Sequence, residues 1–281
     1  MFWQKVEGKM AGTKAVRHII AVASGKGGVG KSTCTVNLAV ALRRQGATVG
    51  VLDADIYGPN LPMMLGVQGP PRVKNDEVQP VFAYGLKVMS LGFVVKQDEP
   101  IVWRGPLIHG ALAQLLNDVA WGELDYLLID LPPGTGDVQL SLAQLTALSG
   151  AVIVTTPQDV ALEDVYKGMA AFQQLKVPLL GVIENMSFFA CPHCGGRTDI
   201  FAHGGGQKAA QRLDIPFLGA VALDPAIRAG GDDGQPITAV SHHSPQAQSF
   251  VEIAEKLVER LATVPVRSEG DRIQLADISV R

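Results

Sequence analysis

The sequence predicts an α/β fold with a mainly parallel, twisted sheet and helices on both faces. Three observations carry this. Apolar runs of strand length alternate with amphipathic stretches of helix length along most of the 281 residues. Several of those runs, YLLIDL, AVIVTT and LLGVI among them, are apolar throughout, as strands covered on both faces must be. The first run also leads through a Gly-rich segment straight into the first helix.

Residues 1–16 lack periodicity and are expected as a flexible tail. From Arg17, RHIIAVA reads as a strand, SGKGGVGKST follows it, and TVNLAVALRRQG reads as a helix. Val36, Ala39, Val40 and Leu42 give that helix its apolar stripe, Arg43, Arg44 and Gln45 face water, and Gly46 stops it. ATVGVLDAD is a second buried strand. The stretch from about Ile56 to Lys96 holds Pro59, Pro62, Pro70, Pro71 and Pro80, so it is expected to be loop-rich, with LKVMSLGF as a strand inside it. A helix near Leu107–Val119, the strand DYLLIDL, the turn PPGTGD and a helix over Val138–Leu148 come next. GAVIVTT is a strand, Val160–Leu175 a helix and PLLGVIEN a strand. The segment MSFFACPHCGGRTDIFAHGGG, near 186–206, reads as a surface insertion. A short helix near Gln207–Leu213, a strand near PFLGAV and a helix near Pro245–Ala262 complete one domain over 17–263. Residues 264–281 are weakly periodic and read as a C-terminal tail.

Apolar residues at 47% and charged residues at 18% favour a packed core over disorder. With 24 Lys and Arg against 27 Asp and Glu, the net charge of −3 gives no global attraction to nucleic acid or to an anionic membrane, and neither is expected as a partner. Any site for a polyanion must be local. Three cysteines, Cys34, Cys191 and Cys194, are too few for a disulfide-stapled scaffold. No apolar run reaches the roughly 18 residues of a membrane span, and MFWQKVEGKMAG has no continuous apolar core of a signal peptide. A soluble protein of a reducing compartment, most simply cytoplasm, is expected.

Gly25–Ser32, GKGGVGKS, matches G-x-x-x-x-G-K-[ST] between a strand and a helix, the context that motif needs. Gly25, Gly27, Gly28 and Gly30, with Lys26 and Val29 among them, let backbone N–H groups converge on phosphate oxygens without Cβ clashes. The helix starting near Lys31 adds its positive end. Lys31 is expected to reach the β- and γ-phosphates of ATP, the Ser32 hydroxyl to bind Mg²⁺, and Thr33 to extend the cradle. The fold is then a P-loop NTPase. Lys26 is a second lysine early in the loop, either a spare surface charge or a neutraliser of phosphate on its own or a neighbouring subunit's nucleotide. Asp130 ends an apolar strand, a Walker B arrangement that would hold Mg²⁺ through water. Pro132, Pro133 and Gly134 follow as a stiff turn suited to sensing the γ-phosphate. Asp53 and Asp55 leave the second strand on the same edge. One would support the metal, Asp53 being a candidate ligand, and the other would orient the attacking water; strand-end aspartates also simply cap turns.

Cys191-Pro192-His193-Cys194 puts two thiols in one tight turn. A Cys₄ cluster site needs four thiolates, and Cys34, on a core-facing helix, reads as a small buried hydrophobe. The count therefore suggests a second chain, two CxxC turns meeting across a two-fold axis. Three alternatives stay open: zinc with His193 or His203, a redox dithiol, which would want CxxC opening a helix where Gly195-Gly196 follow, and a chemically idle pair.

GKGGVGKST resembles the deviant Walker A loop of the MinD/ParA/nitrogenase-iron-protein class, whose signature lysine Lys26 matches. VLDADIYGPN, WRGP, DYLLIDLPPGTGD, VTTPQDVAL, ENMSFFACPHCGG, HGGG and LDPAIRAGGDDG together resemble the Mrp/ApbC family of iron–sulfur cluster carrier ATPases, from about Ile19 to Phe250. The resemblance implies a homodimer that binds ATP and hydrolyses it slowly. It implies a [4Fe–4S] cluster carried between the subunits, taken from a donor and passed to apo iron–sulfur proteins. It also implies that Lys26 contacts phosphates across the dimer, that Asp55 is the switch I aspartate positioning the hydrolytic water, that Asp130 is the switch II aspartate, and that Asn185 recognises adenine. The extra N-terminal domain or four-cysteine segment of many relatives is not expected, because fewer than about 20 residues precede the first strand. The alternative function is a MinD/ParA-like positioning ATPase with structural zinc at the CxxC. It calls for a basic amphipathic C-terminal helix, whereas SFVEIAEKLVERLATV sets Glu252, Glu255 and Glu259 against Lys256 and Arg260.

Overall fold

All seven predicted strands pair into one sheet. The computed structural model describes residues 12–74, 77–94, 105–134, 136–191, 193–267 and 269–273, with backbone only for 159–165 and 269. Residues 1–11 and 274–281 of the tails expected at 1–16 and 264–281, Trp103 and Arg104 of the WRGP stretch, Thr135 and Pro192 lie outside the described residues.

The chain runs β1 (Val16–Ser24), α1 (Lys31–Arg44), β2 (Val49–Asp53), α2 (Leu61–Met64), β3 (Arg72–Lys74), β4 (Glu77–Gln79), β5 (Val81–Ala83) and β6 (Leu86–Ser90). It continues through α3 (Gly105–Asn117), β7 (Leu124–Asp130), α4 (Asp137–Leu145), β8 (Gly150–Thr155), α5 (Asp159–Gln174) and β9 (Leu179–Glu184). The short β10 (Phe189–Ala190) and β11 (Arg197–Thr198) precede α6 (Gly205–Arg212), β12 (Phe217–Ala220), α7 (Pro225–Asp232), α8 (Ile237–Val240) and α9 (Pro245–Thr263).

The eight-stranded sheet has the order β12-β9-β8-β1-β7-β2-β6-β5. Every pairing in it is parallel except β5 with β6. Period-two alternation sorts the apolar strands onto two cores. Ile19, Ala21 and Ala23 of β1, with Leu127 and Ile129 of β7, join one core that also takes Ile108, Leu112 and Leu116 of α3 and Phe172 of α5. Ile20 and Val22, with Leu128, join the opposite core built with α1 and α9. Each face of the sheet is thereby sealed by helices, which is why these strands are apolar between their ends.

Four local features differ from the sequence expectation. Helix α1 is buried all round from Cys34 to Leu42 rather than along a stripe, because α8 and α9 cover the side away from the sheet. Helix α4 ends at Leu145, since Thr146 is already extended, with φ −146° and ψ 154°. The loop-rich stretch contains the hairpin β3–β4 and the edge strand β5. Two unexpected helices, α7 and α8, lie between β12 and α9; Asp224 caps α7 by accepting from the Ala226 N–H at 2.7 Å, with Pro225 in its first turn. Beyond α9 the chain returns to the core, where Ile273 is 9% exposed and its N–H donates to the Ala143 carbonyl.

Candidate functional site

Strand register gathers the acidic residues and the glycine loop at one edge of the sheet. Val22 pairs with Asp130, Asp130 with Asp53, and Asp53 with Ser90, so the C-terminal ends of four neighbouring strands lie level. In open parallel sheets this carboxyl edge is where ligands bind. A cavity of about 410 Å³ opens there, lined by the loop from Lys26 to Thr33, Asp55, Pro133, Asn185 and the residues leading into α7.

The loop needs its glycines for two separate reasons. Gly28 and Gly30 have φ of +80° and +79°, left-handed conformations that side chains disfavour. Gly30 is also in close approach: a Cβ there would overlap the Nδ2 atom of Asn185. That Nδ2 donates to the Val29 carbonyl at 2.8 Å, and Asn185 is 4% exposed. Asn185 therefore braces the loop from behind while lining the cavity.

Asp130 is fully buried and accepts three hydrogen bonds. Lys31 Nζ and Ser32 Oγ donate to its Oδ2, each at 2.6 Å, and Thr35 Oγ1 donates to its Oδ1 at 2.6 Å. Lys31 Nζ also stands 3.7 Å from Asp55 Oδ2. The adjacent hydroxyl and carboxylate oxygens of Ser32 and Asp130 are hard donors of the kind that suit Mg²⁺.

The other two acids differ in placement. Asp55 lines the cavity; burial pushes its carboxyl pKa up, against the pull of Lys31. Asp53 turns into its own loop instead, accepting from the Asp55 N–H, the Leu61 N–H and Ser90 Oγ, each at 3.1 Å. Burial first, then the neighbouring Asp130, pushes its pKa to about 7. Asp53 is not among the cavity's lining residues, so the geometry gives it the turn-capping alternative foreseen for strand-end aspartates.

Lys26 is half-buried and lines the cavity. Among the described residues no acid pairs with it. The Pro132–Gly134 turn is tied to the loop: the Gly134 N–H donates to the Ser24 carbonyl at 2.9 Å, and Ser24 Oγ donates to the Lys26 carbonyl at 3.0 Å. Gln139 Nε2 holds the Gly134 carbonyl at 2.8 Å from the other side.

Sequence reasoning passed over several contributors. Thr35 contacts Asp130 directly, and its signal was a polar residue one helical turn beyond Lys31 on a face otherwise apolar. Ile227, Arg228 and Gly231 of α7 form a wall of the cavity; the Asp-Pro helix start was legible, but its meeting with the loop is a tertiary fact.

The thiol turn lies in the hairpin closed by β10 and β11. The Cys191 N–H donates to the Gly196 carbonyl at 2.9 Å, and the Gly195 N–H to the Cys191 carbonyl at 2.8 Å, with Gly195 at φ +70°. Cys191 is half-exposed and Cys194 exposed. Backbone N–H groups of His193 and then Cys194, with the Cys194 thiol, lower the pKa of Cys191 and so favour its thiolate. Cys34 is fully buried, as expected, and burial pushes its thiol pKa well up. His203 is engaged elsewhere, with Nδ1 3.1 Å from Arg197 Nη2 and 3.7 Å from Asp199, while the Arg197 guanidinium lies 4.1 Å over the Phe188 ring. Among the described residues no three His, Cys, Asp or Glu side chains converge as a metal site, so neither His193 nor His203 completes a zinc set with the thiols.

Residues 15–258 match the ParA family model described as NUBPL iron-transfer P-loop NTPase. An iron–sulfur cluster carrier protein of Synechocystis is 49% identical over 253 residues, 88% of this chain and 72% of its own. The mouse iron–sulfur cluster transfer protein NUBPL is 48% identical over 255 residues, 90% of this chain and 80% of its own. A nucleotide-binding protein of Archaeoglobus fulgidus, solved in complex with ADP, superposes with a TM-score of 0.73 at 41% identity, covering 85% of this chain and 93% of its own. The cell division ATPase MinD of Pyrococcus furiosus follows at 0.67 and 26%, covering 86% and 99%.

Proposed function

The chain belongs to the ParA family of NUBPL iron-transfer P-loop NTPases, and on that premise we propose that it is an ATP-hydrolysing iron–sulfur cluster carrier. Two copies hold a [4Fe–4S] cluster between their Cys191 and Cys194 thiols and deliver it to apo iron–sulfur proteins. One observation carries this reading: each chain offers a braced phosphate loop and a surface dithiol turn that finds no third ligand among the described residues of its own chain. Two turns from two copies supply the four thiolates that such a cluster takes.

The chemistry in the cavity follows from the contacts. Backbone N–H groups of the loop and the N-terminal end of α1 take the phosphate oxygens. Lys31 leaves Asp130 for the β- and γ-phosphates, and Ser32 and the freed Asp130 would hold Mg²⁺, which would supply charge neutralisation. Asp55, whose burial raises its affinity for a proton, orients the water that attacks the γ-phosphorus. The P–O bond to ADP breaks and phosphate leaves. Lys26, free of an acid in its own described surroundings, reaches phosphate across the dimer. Asn185 presents its amide beside the base as well as to the loop.

A positioning ATPase is less well supported. The apolar face of α9, with Phe250, Ile253, Leu257 and Leu261, is buried in the core, and no helix among the described residues is long and apolar enough to cross a membrane. Anaerobic reconstitution tests the proposal, with iron, sulfide and zinc analysis and mass measurement with and without ATP. The wild-type chain is expected to hold iron and sulfide as a dimer and Cys191→Ser to lose them. Equal iron and sulfide in both would overturn the reading.

A further inference from the structure

The segment that leaves β9 contacts the phosphate loop and the base of the thiol-bearing arm through two consecutive residues. Strand alternation sends their side chains to opposite faces of the sheet. Asn185 goes to the phosphate loop, where it holds the Val29 carbonyl at 2.8 Å. Glu184 goes to the other face, 1% exposed, and accepts Ser187 Oγ at 2.6 Å and the Gly206 N–H at 2.5 Å.

Those two donors bracket the thiol-bearing arm. Ser187 begins the excursion and Gly206 ends it, so one carboxylate staples the outgoing and returning chain together. The HGGG stretch, unexplained by nucleotide chemistry, fits this staple. Gly204 has φ +71°, a Cβ at Gly205 would overlap the Pro157 carbonyl oxygen, and a Cβ at Gly206 would stand 3.0 Å from Glu184 Cβ. At the outgoing side Met186 takes φ +55°, a left-handed turn rare for a bulky residue, and it lines the nucleotide cavity. The same segment is laced to the cavity's far wall. The Ser187 N–H donates to the Val221 carbonyl at 2.9 Å and the Leu223 N–H to the Phe188 carbonyl at 2.7 Å, with Leu223 itself lining the cavity.

We propose that Glu184 and Asn185 form the mechanical link between nucleotide occupancy and the position of the Cys191–Cys194 turn. Asn185 senses the phosphate loop, and Glu184 makes the arm follow β9 as one body. Glu184 is a positioning residue: it touches neither phosphate nor thiol. This inference rests on the reading of the two sites given above. A buried carboxylate held, among the described residues, by a hydroxyl and a helix N-terminal N–H is costly to keep unless it organises something, and what it organises is the base of the arm.

The test uses the full chain, free of cluster and under anaerobic conditions. The alkylation rate of Cys191 and Cys194 by iodoacetamide is measured with and without MgATP, alongside ATP affinity and thermal unfolding. In the wild type, MgATP is expected to change the rate at least about fivefold, the lower end of ordinary coupling between sites. Ser187→Ala removes one limb of the staple and leaves the charge bonded to Gly206; Glu184→Gln keeps the shape. Both are expected to bind ATP within about twofold of wild type and to lose most of the response, Glu184→Gln less completely because its amide can still pair with the Ser187 hydroxyl. Variants that bind ATP and keep the full response overturn the link, as does a wild type that binds ATP with no response. Thiols that answer to ATP in a wild-type chain that takes up no iron would support the link while overturning the carrier reading.

Discussion

Replacing Gly30 by alanine separates backbone strain from the brace behind the phosphate loop. Gly28 and Gly30 share almost the same left-handed φ, +80° and +79°. A Cβ at Gly28 meets nothing within 4 Å, whereas one at Gly30 overlaps Asn185 Nδ2. Gly28→Ala should therefore cost only conformational strain, ~1–2 kcal/mol. Gly30→Ala carries that strain and must also push Asn185 away from the Val29 carbonyl, stranding a buried donor and acceptor at a further ~1–3 kcal/mol. In an Asn185→Ala background the obstruction is gone, so Gly30→Ala should cost what Gly28→Ala costs. The cycle is read by urea unfolding of the nucleotide-free chain. Its coupling term is expected at ~1–3 kcal/mol. If Gly30→Ala and Gly28→Ala agree within ~0.5 kcal/mol in the wild-type background, Asn185 does not brace the loop.

Lys31→Met leaves the buried Asp130 carboxylate with two hydroxyl donors and no cation; urea unfolding should show a loss near ~3 kcal/mol, and steady-state phosphate release should fall by ~10²-fold or more. Asp53 titrates at about 7 in the fold against an ordinary value of 3.8. The folded chain therefore holds a proton that the unfolded chain has released between those pH values, and the contribution of this residue to stability falls as pH rises from about 4 to about 7. Asp53→Asn should flatten the unfolding free energy across that window, and an unchanged slope would contradict the burial argument. His203→Ala should leave reconstituted iron unchanged, because His203 is engaged with Arg197 and Asp199; a shift from iron to zinc or a loss of metal would return the histidine to the ligand set.

The layers and the strand order's main members were legible because each main strand carries an apolar run and each junction carries punctuation. The glycine loop, Lys31, Asp130 and the thiol pair were legible because their chemistry is packed into short, rigid spacings. What escaped has no local signature. Asp53 and Asp55 look alike in VLDAD, yet one caps its loop and the other faces the cavity, a difference made by Leu61 and Ser90 arriving from distant chain. Glu184 read as the end of an apolar strand, and only the return of Gly206 reveals what it binds. Helix α7 was announced by Asp224-Pro225, but the Gly230-Gly231 pair inside it masked the signal.

Both borders of the sheet are narrow, four residues in β12 and three in β5. Strips so brief template poorly for a neighbour's backbone, which guards against fibrous stacking. Two copies would thus gain little by lengthening the sheet sideways. The pairing of two copies proposed above would then rest on surfaces other than the sheet's borders.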